Sequence, residues 1–171
     1  MQAAVLPARP VHLEASWTQT ADHESYLFVP PRNATTGPAP HIFALCNPGN
    51  SRCAAAYPFA CVNADITIGA EVTTIHQLLP GTYEYWVELD SEPNNPDGEV
   101  TVALKDKTGR VMRRWTRRAD PTGISGLGWH VFDVDGRSGR VTGIDAVRTD
   151  APLDLPTGAH DPTTSVCPFN A

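Results

Sequence analysis

The residues best suited to chemistry in this chain are few, and they argue for contact more than for catalysis. Trp86 stands between Glu84 and Glu88 in the stretch 82–90, where alternation puts Tyr83, Tyr85, Val87 and Leu89 on one face and Trp86 on the other. An aromatic ring beside carboxylates can stack on a sugar while the carboxylates accept its hydroxyl protons, so Trp86, Glu84 and Glu88 are the candidate ligand-binding residues. Packing of another segment over Trp86 is the competing expectation, since large aromatics are mostly buried. Arg110, Arg113, Arg114, Arg117 and Arg118 surround Trp115, a basic strand in a chain of formal net charge −6. An anionic partner, acidic loops of the same chain, or an edge strand that resists aggregation would each explain it.

Catalytic patterns fail on their details. Gly123-Ile124-Ser125-Gly126-Leu127-Gly128 resembles a nucleophile elbow, but Leu127 stands where the second glycine is needed and no strand-to-helix context surrounds Ser125. The six histidines, His12, His23, His41, His76, His130 and His160, show no His-Glu-x-x-His spacing, and no glycine-rich phosphate loop precedes a helix. Asp133-Val134-Asp135-Gly136 opens like an EF-hand, yet Arg137 and Ile144 occupy its fifth and twelfth positions. Asp90, Ser91, Glu92, Asn94, Asn95 and Asp97 crowd one turn with the oxygen donors that calcium takes. A sandwich can still assemble a triad from distant strands, so a hydrolase stays as a third expectation.

The elements that must position these residues are strands. The chain has 171 residues, 41% hydrophobic and 19% charged, enough for one domain with one core and too acidic for a basic nucleic-acid binder. Its 16 prolines and 13 glycines interrupt it too often for a helical bundle, and apolar runs as short as residues 54–56 give no membrane span. Period-two alternation marks strands at 11–18, 25–29, 41–46 and 72–79. Leu79-Pro80-Gly81-Thr82 then reads as a type II turn making a hairpin with 82–90. Residues 99–105 turn through Asp106-Lys107-Thr108-Gly109 into 110–118, and 128–134 turn through 135–139 into 140–147. Roughly nine strands predict an all-β fold, an antiparallel β-sandwich of immunoglobulin-like or jelly-roll-like type spanning 11–148, after an N-terminal extension at 1–10.

Cys46, Cys53, Cys61 and Cys167 lack Cys-x-x-Cys spacing and suit two disulfides in an oxidising compartment, with the pairing open among three possibilities. Cys167 would tie the irregular, proline-rich tail at 149–171 back to the sandwich, closing a loop that chain entropy values at about 4 to 5 kcal/mol. The first ten residues have no basic start and apolar stretch of a secretion signal, so either a signal has been removed or the protein stays inside, and the cysteines are the better guide, to a secreted or cell-surface location.

Two segments carry a resemblance. Leu78-Leu79-Pro80-Gly81-Thr82-Tyr83-Glu84-Tyr85-Trp86-Val87 and Gly128-Trp129-His130-Val131-Phe132-Asp133-Val134-Asp135-Gly136 are similar to the YfaP-like group of bacterial secreted and surface β-sandwich domains. Asp22-His23-Glu24-Ser25-Tyr26-Leu27 resembles that group's early acidic strand, and Asn63-Ala64-Asp65 with Gly69-Ala70-Glu71 its central acidic loop. The resemblance implies a calcium site drawing together Asp22, Glu24, Asn63, Asp65 and Glu71, although several of the group's carboxylates are missing. It also implies an extracellular, non-catalytic module. The expected function is therefore binding of a glycan or other surface polymer, or of a protein surface. A structural or adhesion subunit that self-associates through edge strands is the alternative, and a hydrolase or hydrolase accessory domain comes third.

Overall fold

The computed structural model describes residues 4–6, 10–17, 23–30, 41–42, 59–62, 69–89, 98–118 and 127–149. Among them lie eleven strands and no helix: β1 (Ala4–Val5), β2 (Val11–Trp17), β3 (Glu24–Phe28), β4 (His41–Ile42), β5 (Ala60–Val62), β6 (Gly69–Ile75), β7 (Thr82–Leu89), β8 (Glu99–Lys105), β9 (Val111–Arg118), β10 (Leu127–Asp135) and β11 (Arg140–Arg148). They form two antiparallel sheets, β1-β11-β10-β7-β3-β4 and β5-β6-β2-β8-β9, with the short strands at the edges. No described helix is long and apolar enough to cross a membrane.

Alternation explains the layering. In β2, Val11, Leu13, Ala15 and Trp17 are buried while His12, Glu14 and Ser16 are half-buried, so the sheet has an apolar inner face and a polar outer one. The inner faces share one core in a sandwich-like arrangement. Trp115 of the second sheet stacks on Phe132 of the first, with ring centroids 4.7 Å apart, and Tyr85 stacks on the same Phe132 at 5.3 Å. Burial of each such side chain contributes on the order of 1.5 to 3 kcal/mol.

Two expected hairpins are present, β8–β9 and β10–β11. Asp106 organises the first. Its carboxylate accepts bonds from the Thr108 hydroxyl (2.6 Å) and amide (2.9 Å) and from the Arg110 amide and Nε (both 3.1 Å). These bonds, the Thr108 hydroxyl foremost, pull its pKa down to about 2.

The hairpin expected across Leu79-Pro80-Gly81-Thr82 does not form. Gly81 has its positive φ, but β6 pairs with β2 and β5, and β7 with β3 and β10, so the turn carries the chain from one sheet to the other. The β10–β11 turn docks on this crossover through Gly136 N–H to Gly81 O at 2.8 Å, and any Cβ on Gly136 would collide with the Leu79 carbonyl oxygen. The extension at 1–10 is partly structured, because Ala4 and Val5 pair with Val141 and Arg140 and Leu6 donates its amide to Gly139. Of the strand expected at 41–46, His41 and Ile42 pair with β3. The remainder of that strand and the tail beyond residue 149 lie outside the described residues.

Candidate functional site

Register assembles the outer face of the first sheet into rows across β3, β7 and β10. Tyr26, Trp86 and His130 form one row, and Phe28, Glu84 and Asp133 the next. Trp86 leaves the strand opposite Tyr83 and Tyr85, as alternation demands, and its ring stacks flat on His130 with centroids 4.2 Å apart. Its Nε1 donates to Glu84 Oε2 (3.1 Å), Tyr26 Oη donates to Glu88 Oε2 (2.8 Å), and His130 Nε2 lies 2.6 Å from Asp133 Oδ1. Burial, reinforced by the Glu88 charge, pushes the Tyr26 phenol above its ordinary pKa.

The expected open platform of Trp86, Glu84 and Glu88 is corrected by burial: Trp86 and Tyr26 are each only 2% exposed. Each flanking carboxylate is already committed to an aromatic donor of the same face, so these residues hold the sheet together where a sugar was expected to stack.

A second group was not anticipated as a unit. His23, Ser25, Glu71, Thr73 and Tyr85 are all buried between the sheets. Glu71 Oε2 accepts the Ser25 amide (3.1 Å) and hydroxyl (2.7 Å), a carboxylate bond from β6 across to β3. Burial raises the Tyr85 phenol pKa. Ser25 donates its hydroxyl to a carboxylate and is closed to solvent, so the set offers no nucleophile to a substrate.

Of the residues expected to hold calcium, Glu24 faces outward in register with Glu88 whereas Glu71 points into the core. Asp22, Asn63 and Asp65 lie outside the described residues, as do the acidic turn at 90–97 and Ser125. Among the described residues no three His, Cys, Asp or Glu side chains gather around one point. Cys61, on β5, places its Sγ 3.6 Å from His76 Nε2, and Cys46, Cys53 and Cys167 are outside the described residues. Desolvation, with His12 nearby, lowers the His76 pKa.

The open region is the flank where β9, the edge of the second sheet, meets β11 of the first. Asp145, held at φ 53°, ties the sheets: it accepts Arg117 Nη2 on Oδ1 (3.0 Å) and on its carbonyl (3.2 Å), and Trp129 Nε1 on Oδ1 (3.0 Å). Arg117 lies over Trp129 (5.7 Å) and Arg113 over Trp115 (4.8 Å). Gly143 lies against them, and a Cβ there would stand 2.8 Å from Arg113 Nη2, so the end of that side chain would have to shift. The large hydrophobics exposed among the described residues, Val111 at 40% and Ile144 and Val147 at 36% each, all sit on these two strands. Arg114, Arg118, Arg140 and Arg148 are exposed around them, and none has an ion pair among the described residues.

Charge is accordingly segregated. Residues 105–148 hold ten basic and five acidic side chains, a net of +5, which leaves −11 for the rest of a chain whose total is −6. The β9 arginines were visible as a pattern, but the part played by β11 was not, because Asp145 and Gly143 break its alternation. No family model, curated protein or solved structure matches the chain.

Proposed function

We propose that this chain is an extracellular, non-catalytic binding module that holds a glycan or other surface polymer on the flank formed by β9 and β11. The observation that carries this reading is the concentration on one flank of unpaired arginines together with the exposed large hydrophobics among the described residues. Arginine and apolar side chains mixed on an otherwise acidic molecule are the composition of a contact surface. Retention on a panel of immobilised polysaccharides, with released reducing sugar assayed in the same samples, tests it. Retention without release supports the module; release of sugar, or no retention on any polymer, overturns it.

A structural or adhesion subunit is the second reading, favoured by β9 being a sheet edge that another strand could join.

The secreted or surface location is part of the proposal. Its support is the even number of cysteines without metal-type spacing, which would pair as two bridges in an oxidising compartment. Kinship with the YfaP-like group also stays a proposal, supported by the direct pairing of the two motif strands, β7 and β10, at the centre of one sheet. Of the two sandwich types, we favour the jelly-roll-like one on strand count. Each sheet has four long strands, and the consecutive β2 and β3 part to different sheets, whereas the first two immunoglobulin strands are neighbours.

A further inference from the structure

Resting on the second reading, in which β9 is an edge that another chain joins, we infer that the second sheet takes an extended acidic segment of a partner protein as a sixth strand beside β9. The first ground is the backbone. Among the described residues β9 pairs with β8 alone, so alternate residues of its eight point their N–H and C=O groups sideways. A phosphate, sulfate or uronate polymer has no regular row of donors and acceptors to match them. Another extended polypeptide has one.

The second ground is room. Trp115 and Arg117 of β9 lie on Phe132 and Trp129 of β10, so the second sheet ends opposite β10 while the first runs on to β11. Of the nine β11 residues only Val141 is buried, and Val147, opposite the core residue Trp129 in register, is still 36% exposed. A strand hydrogen-bonded to β9 would lie about 4.8 Å further out, above β11 as β9 lies above β10. Its inward side chains would cover Val147, which calls for apolar residues on that face.

The third ground is charge, taken from one face only. Arg114, Thr116 and Arg118 stand opposite Ala103, Thr101 and Glu99 on the outer face of the second sheet, alternating with the inward Trp115. Arg114 and Arg118 are exposed and have no ion pair among the described residues. The outward residues of a neighbouring strand fall beside them, so carboxylates four residues apart complement the two guanidiniums. A second copy of β9 in the same place would set arginines against arginines, which like-charge repulsion opposes. The occupant is accordingly a strand of another protein, acidic outward and apolar inward.

The test titrates the full chain and an Arg114→Glu/Arg118→Glu variant, by calorimetry and amide hydrogen exchange, with a short capped peptide alternating glutamate and valine. Its fully N-methylated counterpart keeps the carboxylates but has no backbone N–H to give, and polygalacturonate is a polyanion without a peptide backbone. The expected result is peptide binding that slows exchange of the β9 amides, weakens as salt rises, falls about tenfold or more in the arginine variant, and disappears on N-methylation. Both arginines are exposed, so their reversal leaves the fold intact, which the melting temperature checks. Equal binding of the N-methylated peptide or of polygalacturonate shows that charge alone holds the ligand; it overturns the added strand and returns the flank to the polysaccharide reading. Absence of peptide binding overturns the inference as well. Sedimentation equilibrium then decides the second reading separately: assembly of the chain with itself keeps that reading with a second copy as the partner, and a monomer at every concentration removes both.

Discussion

The outer face of the first sheet and the β9–β11 flank use the same ingredients, indoles and charged side chains, and put them to opposite use. On the sheet face, carboxylates serve as acceptors for an indole and a phenol, and the aromatic row closes to solvent. On the flank, guanidiniums lie over Trp115 and Trp129 and Asp145 takes the Trp129 N–H, while further arginines stay exposed without ion-pair partners among the described residues. Carboxylates on aromatic donors therefore mark a face that the fold has used up. Cations over rings at a sheet edge leave donors for something outside.

The strongest way to break that contrast is Trp86→Ala. If the sheet face is structural, the loss in chemical denaturation is about 3 to 5 kcal/mol, the range for truncating a buried aromatic. A loss below about 1 kcal/mol would return Trp86 to the ligand-binding candidates. Next in size is Ser25→Ala, which strips the hydroxyl from the buried Glu71 carboxylate and is expected to cost about 2 kcal/mol by the same measurement. On the flank the effects on stability shrink. Asp145→Asn keeps an oxygen for Trp129 but removes the charge facing Arg117. Since that carboxylate is more than half exposed, a change of about 0.5 kcal/mol is expected.

The smallest effect sharpens the comparison through pH. Asp106 closes the hairpin that leads into β9, and its folded pKa of about 2 lies below the ordinary carboxylate value. A depressed folded pKa contributes stability that is complete above the unfolded value, near 4, and is lost as pH falls towards 2. Asp106→Asn should therefore lower stability at neutral pH, where the contribution is complete, and flatten the profile between about pH 4 and 2, which chemical denaturation across that range checks.

How much was legible in the sequence varies with how local each determinant is. Strand alternation is local, so β2, β7, β8 and both late hairpins could be read directly, as could the outward direction of Trp86. Coverage of Trp86 was not readable, because it depends on atoms distant in sequence, whereas periodicity reports direction only. In β6 the two alternating sets are Ala70, Val72, Thr74 and Glu71, Thr73, Ile75, and hydrophobicity does not separate them. The structure turns inward the set containing Glu71, where Ser25 meets its carboxylate from the other sheet. The crossover at Pro80-Gly81 has the residues of a hairpin turn. What makes it an inter-sheet link is that both neighbours of β6 and of β7 are strands other than each other, a fact of topology beyond local sequence.

The central claim, that the flank binds and the sheet face does not, is tested most directly by the indole N–H resonances of the four tryptophans during titration with a polygalacturonate fragment. Trp115 and Trp129 lie beneath the flank arginines, Trp86 is on the closed face, and Trp17 is in the core. The account predicts saturable shifts of the Trp115 and Trp129 resonances while those of Trp86 and Trp17 stay still. Movement of the Trp86 resonance with Trp115 and Trp129 fixed would contradict it.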